Sequence, residues 1–224
     1  MRNYDLPPYY IRTLEEQKDQ SLVIPLFPSI ISIQTLDIDS SEIRKLKEVE
    51  MKATNVATSD RCYTSTTVNI LKKFPEFKHY FIEALSDLSE RILGLRNYDY
   101  DISTSWVTRV DQNGESQFHN HRNSYYSGIF YFDDIDKENG GYLQLINQGL
   151  QKNDFYLGAI KDEDTTVFNT DSYGIIPHRN MFVLLPSFIH HRVTRYYGEN
   201  PRFSLAMNFV PKPPYGNADS AILK

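Results

Sequence analysis

Cysteine is almost absent from this sequence, in which Cys62 is the single example. One cysteine cannot close an intramolecular disulfide, which argues against a disulfide-stapled extracellular module. The first twenty residues carry charges throughout and lack the apolar stretch of a secretory signal peptide. We therefore expect a reducing, cytoplasmic setting for the protein.

Long apolar runs and an excess of basic residues are also missing. No stretch approaches the roughly 20 apolar residues that span a bilayer, so no membrane role is expected. The 24 Lys and Arg are outnumbered by 29 Asp and Glu, for a net charge of −5. A protein that binds nucleic acid through its whole surface normally shows a basic excess, which makes nucleic acid a disfavoured partner. An oligomer remains compatible with these totals.

The N-terminal part of the chain predicts an irregular arm, one edge strand and two helices. Pro25 and Pro28 exclude a central strand at that point, which leaves an edge strand over 29–35. Ser40 predicts the cap of a first helix, with Ile43, Leu46, Val49 and Ala53 on its apolar face. The spacing of Phe77, Phe81, Leu85, Leu88 and Ile92 predicts a second helix over 75–93, which Gly94 would end.

After residue 98 the pattern changes to short, alternating, β-rich segments separated by turn residues. The predicted strands are 103–110, 125–132, 141–146, 165–168, 181–186, 191–196 and 203–210. Several short strands at this spacing favour a β-sandwich or jelly roll. We expect one domain, with supporting elements over 1–97, a β core over 98–210 and a tail over 211–224. The polar excursion 147–166 has the length of a lid or binding loop.

The last predicted strand has two different faces. Arg202, Ser204, Ala206 and Asn208 alternate with Phe203, Leu205, Met207 and Phe209. The apolar face needs a helix or a second sheet against it, whereas the face with arginine and serine needs a wet cavity. A sheet with helices behind it and a cavity in front satisfies both requirements.

The motif Phe118-His119-Asn120-His121 carries the strongest chemical signal. On extended backbone, His119 and His121 point to the same face and can grip one metal ion. A third ligand can come from the His190-His191 pair far downstream, of which only one ring can face the metal. Imidazoles suit Fe, Zn, Cu and Ni. Three protein ligands leave coordination positions open, as in catalytic sites. Arg202 could hold a carboxylate nearby.

The chain resembles the iron(II)- and 2-oxoglutarate-dependent oxygenases, and in particular a group of them found in bacteria and phages. The similarity runs from about 103 to 210, through a strand containing Trp106, the segments "HNHRNSYYSGIFYF" and "LLPSFIHHRV", a Gly141-Tyr142-Leu143 strand and the final "RFSLAMNF". These motifs are specific together, although each alone is weak. The resemblance implies a mainly β protein, a double-stranded β-helix or jelly roll with helices packed on one sheet.

The resemblance also implies roles for individual residues. His119, His121 and His191 match the metal ligands, and Arg202 matches the arginine that pairs with the far carboxylate of 2-oxoglutarate. Ser204 and Tyr131 match positions whose hydroxyls reach the same carboxylate, and Asn208 matches a frequent asparagine. The implied reaction uses Fe(II), O2 and the small-molecule cosubstrate 2-oxoglutarate. It releases succinate and CO2 while a C–H bond of a protein side chain, metabolite or nucleobase is hydroxylated.

The sequence departs from the superfamily at position 121, where a carboxylate is usual. A three-histidine site keeps the full charge of the metal, whereas one carboxylate would reduce it by one. A second arrangement stays open in which His121 lies beside the metal and a water or anion replaces it. Spacing alone also permits Zn or Ni. Two other hypotheses stand beside the oxygenase: a cupin-like three-histidine enzyme that does not use 2-oxoglutarate, and a non-enzymatic jelly-roll module, for example of a virion.

Overall fold

The computed structural model describes residues 28–58, 60–146, 170, 172–216 and 222. The predicted N-terminal arm, the excursion over 147–166, the strand over 165–168 and most of the tail lie outside these residues. The described residues form ten strands: β1 Ser32–Thr35, β2 Met51–Ala53, β3 Cys62–Ser65, β4 Tyr100–Val110, β5 Tyr126–Tyr131, β6 Leu143–Ile146, β7 Ser172–Ile175, β8 Met181–Pro186, β9 His190–Val193 and β10 Arg202–Pro211.

The strands form two antiparallel sheets that face each other. The large sheet has the order β1-β8-β5-β10-β4-β3-β2, and the small sheet has the order β7-β6-β9. The segment at His119 joins the small sheet, because His119 and His191 exchange backbone hydrogen bonds of 3.0 and 2.9 Å. From β4 onward the chain passes back and forth between the sheets. This path confirms the predicted jelly roll.

In the part of the chain that the structure describes, three α-helices accompany the sheets: α1 Ser40–Lys47, α2 Ile70–Lys73 and α3 Lys78–Arg91. The inward face of α3 and the outer face of the large sheet contribute to one hydrophobic core, in which Phe81 and Leu85 lie together with Leu205. Each such side chain, once fully buried, stabilises the fold by roughly 1.5–3 kcal/mol. The alternation predicted for β10 is confirmed, since Leu205, Met207 and Phe209 lie in this core. No helix among the described residues is long and apolar enough to cross a bilayer.

A second hydrophobic core lies between the two sheets. It contains Ile129 and Tyr131 from β5, Leu143 and Leu145 from β6, Ile175 from β7, and Val183 and Leu185 from β8. These side chains close one part of the space between the sheets. The remaining part, in front of β10, β4 and β3, stays open as a cavity.

The helix boundaries differ from the prediction at both ends. Asp39, not Ser40, caps α1, because its carboxylate accepts a 2.8 Å hydrogen bond from the Ser41 amide. The predicted helix over 75–93 begins with a 3₁₀ turn at Pro75–Phe77 and ends at Arg91. Ile92, which helical spacing placed on the buried face, follows the helix and is 60% exposed. Gly94 has φ +67° and so provides the left-handed residue that the chain needs there.

Four short elements were not predicted: β2, β3, α2 and β7. Ala53, predicted to lie on the first helix, is the last residue of β2. Strand β6 begins at Leu143 rather than at residue 141, because Gly140 and Gly141 both have positive φ. Strand β9 spans His190–Val193 instead of 191–196. β1, β2 and β3 belong to the same sheet as the core strands, and the proposed partition at residue 97 stays a prediction.

Candidate metal centre

Three imidazoles meet at the open end of the space between the sheets. His119 and His191 lie opposite each other across their bridge, with ring centroids 4.6 Å apart. The His121 ring lies 5.3 Å from that of His119 and 5.2 Å from that of His191. One ring nitrogen from each histidine falls within 4.8 Å of the other two. His119 and His121 therefore direct their rings to one side, as their i, i+2 spacing predicts.

Two of the rings are fixed in a definite tautomer by their own backbone. Nδ1 of His119 lies 2.9 Å from the Gln117 carbonyl oxygen, and Nδ1 of His191 lies 3.0 Å from that of Ile189. A carbonyl oxygen can only accept, so each Nδ1 must carry the proton. Each Nε2 then has a free lone pair, which is the arrangement that metal-binding histidines use.

Burial keeps two of the histidines neutral. Desolvation, followed by the charge of His119, lowers the pKa of His121 to about 4. The same two causes lower the pKa of His191 to about 3. Neutral imidazoles do not repel a cation and need not lose a proton before they bind one. The donor set therefore fits a divalent transition metal.

The neighbouring polar residues are directed elsewhere. His190 is half-buried and does not line the cavity, and the Asn120 amide donates to the Phe188 carbonyl at 3.2 Å. The carboxylates nearest in sequence are paired with arginines: Asp111 with Arg109 at 2.6 Å, and Glu115 with Arg195 at 2.7 Å. Among the residues that the structure describes, no carboxylate joins the histidine cluster.

A buried cation lies on the floor of the same cavity. Arg202 is 1% exposed, and its Nε and Nη1 have no hydrogen-bond partner among the described residues. The Tyr131 hydroxyl is buried and unpartnered as well, and its ring centroid lies 5.1 Å from the Arg202 Cζ. Ser204 is the cross-strand neighbour of Tyr131. Leaving such groups unpaired costs free energy, which a bound carboxylate would recover.

Burial also sets the protonation of these groups. Desolvation raises the pKa of Tyr131 to about 12, although the charge of Arg202 acts against it. The tyrosine therefore keeps its proton at neutral pH and can donate a hydrogen bond. Desolvation lowers the pKa of Arg202 as well, but a guanidinium stays charged in proteins. An anion here could therefore accept hydrogen bonds from the guanidinium of Arg202 and from the hydroxyls of Tyr131 and Ser204.

The histidines and the arginine open into one cavity of about 580 Å³. Its lining includes the six residues singled out by sequence: His119, His121, Tyr131, His191, Arg202 and Ser204. Apolar side chains such as Val110, Ile129 and Leu143 fill the spaces between them. The cavity thus has the size and mixed character of a small-molecule site.

Sequence reasoning missed the polar network behind His121. The Ser127 hydroxyl donates to Asn208 Oδ1 at 3.0 Å and shares a 2.8 Å hydrogen bond with Ser187. The Ser187 carbonyl accepts from the His121 amide at 2.9 Å. The Ser124 hydroxyl lies within hydrogen-bonding distance of both Ser187 Oγ and the His121 carbonyl oxygen, at 2.9 and 3.1 Å. Only Asn208 had been noticed, because serines give no signal until strand register brings them together.

A family model described as "Putative 2OG-Fe(II) oxygenase" matches residues 104–208. Among solved structures, an oxidoreductase of the 2OG-Fe(II) oxygenase family from Burkholderia pseudomallei aligns with a TM-score of 0.55 at 13% identity, covering 76% of this chain and 77% of that one. HygX from Streptomyces hygroscopicus, with nickel and 2-oxoglutarate bound, aligns with a TM-score of 0.52 at 14% identity, covering 82% and 83%.

A third similar structure is a prolyl hydroxylase from Trichoplax adhaerens in complex with a peptide fragment of the hypoxia inducible factor oxygen degradation domain. It has a TM-score of 0.54 and 14% identity, covering 80% of this chain and 83% of the other. At these identities the likeness concerns the fold. No curated protein matches the sequence.

Proposed function

We propose that the chain, whose residues 104–208 match the family model described as "Putative 2OG-Fe(II) oxygenase", is a dioxygenase. In this proposal it couples decarboxylation of 2-oxoglutarate to hydroxylation of a C–H bond. The observation that carries the proposal is the buried, unpartnered Arg202 in the same cavity as three convergent imidazoles. Neither feature alone would separate an oxygenase from another metal protein.

The three histidines would hold Fe(II) through ring nitrogens. Nε2 of His119 and of His191 has its lone pair free, because the opposite nitrogen of each ring donates to a backbone carbonyl. His121 completes the set in place of the usual carboxylate, and no described carboxylate lies close enough to substitute for it. Bound there, Fe(II) would supply the activation of O2 that converts 2-oxoglutarate to succinate and CO2 and oxidises the substrate.

Arg202, Tyr131 and Ser204 would hold the far carboxylate of 2-oxoglutarate. A guanidinium offers two parallel N–H groups to a carboxylate, and such charge-assisted pairs are stronger than neutral hydrogen bonds. Burial strengthens the interaction because water is kept from the charges. This buried cation distinguishes the proposal from the cupin-like alternative, which has no need of it.

The proposed reaction applies equally to a C–H bond of a protein side chain, a metabolite or a nucleobase. One similar structure holds a peptide, and another contains HygX with hygromycin B bound; these ligands belong to those proteins. We infer a cytoplasmic setting from the free, buried Cys62. Phage origin and oligomeric state remain predictions from the sequence.

Succinate formation tests the proposal. Iron-loaded protein should convert 2-oxoglutarate to succinate slowly in air without substrate, and not under argon. Arg202→Met should lower the apparent affinity for 2-oxoglutarate by about 100-fold, since a hydrogen bond to a charged group is worth roughly 1.5–3 kcal/mol and its loss strands partners. Arg109→Met, which alters an arginine paired with Asp111 outside the cavity, is the control. Succinate formation with the same dependence on 2-oxoglutarate concentration in wild type and Arg202→Met would contradict the proposal.

A further inference from the structure

A continuous row of polar side chains crosses the floor of the cavity. Across neighbouring strands, Tyr131 lies opposite Ser204, Ser204 opposite Thr108, Thr108 opposite Thr64, and Thr64 opposite Lys52. Residues directly opposite in antiparallel strands point to the same face. All five residues also line the cavity. Four hydroxyls and one ammonium therefore run from β5 to the sheet edge at β2.

The proposed cosubstrate accounts for only one end of this row. Tyr131 and Ser204 lie beside Arg202, whereas Lys52 is three strands away from Ser204. With neighbouring strands about 4.8 Å apart, the two Cα atoms are roughly 14 Å apart. A lysine side chain reaches roughly 6 Å, so Lys52 cannot share the carboxylate that Arg202 holds. Lys52, which is exposed at the rim of the cavity, is therefore available to a second group.

The remaining members of the row have no partners of their own. Among the described residues, neither hydroxyl of Thr64 and Thr108 has a side-chain hydrogen bond, and no ion pair includes Lys52. The cavity lining described by the structure contains Lys52, Arg192 and Arg202 and no aspartate or glutamate. This balance is the opposite of the whole chain, in which acids exceed bases by 29 to 24. The cavity therefore favours an anion.

The segment 52–56, which carries Lys52, is attached by its backbone to the segment beside the metal ligands. Residues 52–56 all line the cavity. The Val56 carbonyl accepts from the Gln117 amide at 2.8 Å, and Ala57 pairs with Ser116. Gln117 is also the residue whose carbonyl orients the His119 ring. These contacts, with the pairing of Lys52 and Thr64, fix the backbone that carries Lys52 relative to the imidazoles.

We propose, on the basis of the function proposed above, that the substrate is a small molecule with an oxyanion group, carboxylate or phosphate, which binds Lys52, Thr64 and Thr108. The ammonium neutralises the charge, and the two hydroxyls donate directed hydrogen bonds to its oxygens. This second anion site would leave the rest of the substrate lying across the cavity toward the histidines. Arg192, held by Gln144 at 2.8 Å, adds to the positive potential of the lining.

Amide NMR of zinc-loaded protein tests the proposal, because zinc suits imidazole ligands and is redox-inert. The first step adds 2-oxoglutarate and follows the amides of Arg202 and Ser204. The second step adds inorganic phosphate or acetate at constant ionic strength. We expect saturable shifts of the Lys52, Thr64 and Thr108 amides with at least one anion. The anion that binds more tightly indicates whether the substrate carries a carboxylate or a phosphate.

Three variants make the outcome specific. Lys52→Gln should weaken anion binding at least tenfold, and Lys52→Arg should keep it. Lys72→Gln, which alters an exposed lysine of α2 outside the cavity, should leave anion binding unchanged. No saturable shift in the wild type, or equal shifts in Lys52→Gln, overturns the proposal. If 2-oxoglutarate shifts Arg202 but neither anion shifts Lys52, only the substrate inference fails. If 2-oxoglutarate itself produces no shift, the proposed function fails first.

Discussion

At the scale of single residues, the site depends on which of two adjacent histidines faces the cavity. His191 is 5% exposed and lies on the inner side of β9, whereas His190 does not line the cavity. His191→Ala should weaken metal binding by more than about 100-fold, beyond the 10- to 100-fold typical of residues that only support a ligand. His190→Ala should change it less than threefold. Calorimetric titration with Ni(II) measures both. Equal losses would show that the assignment within the pair is wrong.

The buried imidazoles also predict how the metal-free protein responds to acid. Burial lowers the folded-state pKa values of His121 and His191 to about 4 and about 3, below the 6.5 of an unperturbed histidine. The unfolded chain therefore binds more protons than the folded chain between these values. Stability should be full above about pH 6.5 and should fall as the pH drops toward 3. Urea unfolding between pH 7 and 4 measures the slope.

A variant shows whether these histidines cause that slope. His191→Gln removes the most strongly shifted group and should flatten the pH dependence, whereas His79→Gln, on the exposed side of α3, should not. An unchanged slope in His191→Gln would mean that other groups control the acid response.

At the scale of elements, β10 carries Arg202 and Ser204 and is also connected to the segment that carries His121. Its Asn208 is 6% exposed, accepts from Ser127 and donates to Thr104 Oγ1 at 2.9 Å. Through Ser127 and Ser187 this network reaches the backbone of His121. The strand therefore positions both ends of the proposed site.

Asn208→Ala tests that connection. It should lower the free energy of unfolding by about 1–3 kcal/mol, because buried hydroxyls lose a partner. It should also weaken metal binding several-fold, since the His121 loop loses support. Ser103→Ala removes a hydroxyl that bonds to the Asn208 carbonyl at 3.2 Å and belongs to the exposed face. Ser103→Ala should therefore change neither the free energy of unfolding nor the metal affinity by much. Urea unfolding and metal titration of both variants are the measurements, and intact metal affinity in Asn208→Ala would exclude the positioning role.

The same element shows what could be predicted from sequence. The alternation of β10 predicts its apolar and polar faces, because a strand has a period of two regardless of its neighbours. The i, i+2 spacing of His119 and His121 likewise predicts a shared face. β2 and β3, by contrast, are short and depend on pairing with β4, which local pattern does not contain. No local pattern predicts a role for Lys52, because only the cross-strand register aligns it with Ser204.

At the scale of the whole molecule, ligand binding should stabilise the fold, because the site joins both sheets. A ligand that binds only the folded state at 100 times its Kd adds about 2.7 kcal/mol. We expect Ni(II) to raise the melting temperature of wild type and of Arg202→Met alike. Addition of 2-oxoglutarate should raise it further only in wild type. A second increase in Arg202→Met would mean that the cosubstrate does not use the guanidinium.

The central claim is that three imidazoles and one buried guanidinium form a single site for a metal and a keto acid. Anaerobic titration of Fe(II)-loaded protein with 2-oxoglutarate, followed by visible absorption, tests it most directly. We predict a weak band that saturates at one equivalent, is absent from His191→Ala and needs far more 2-oxoglutarate in Arg202→Met. Iron-loaded wild-type protein that develops no band at any 2-oxoglutarate concentration would contradict the claim.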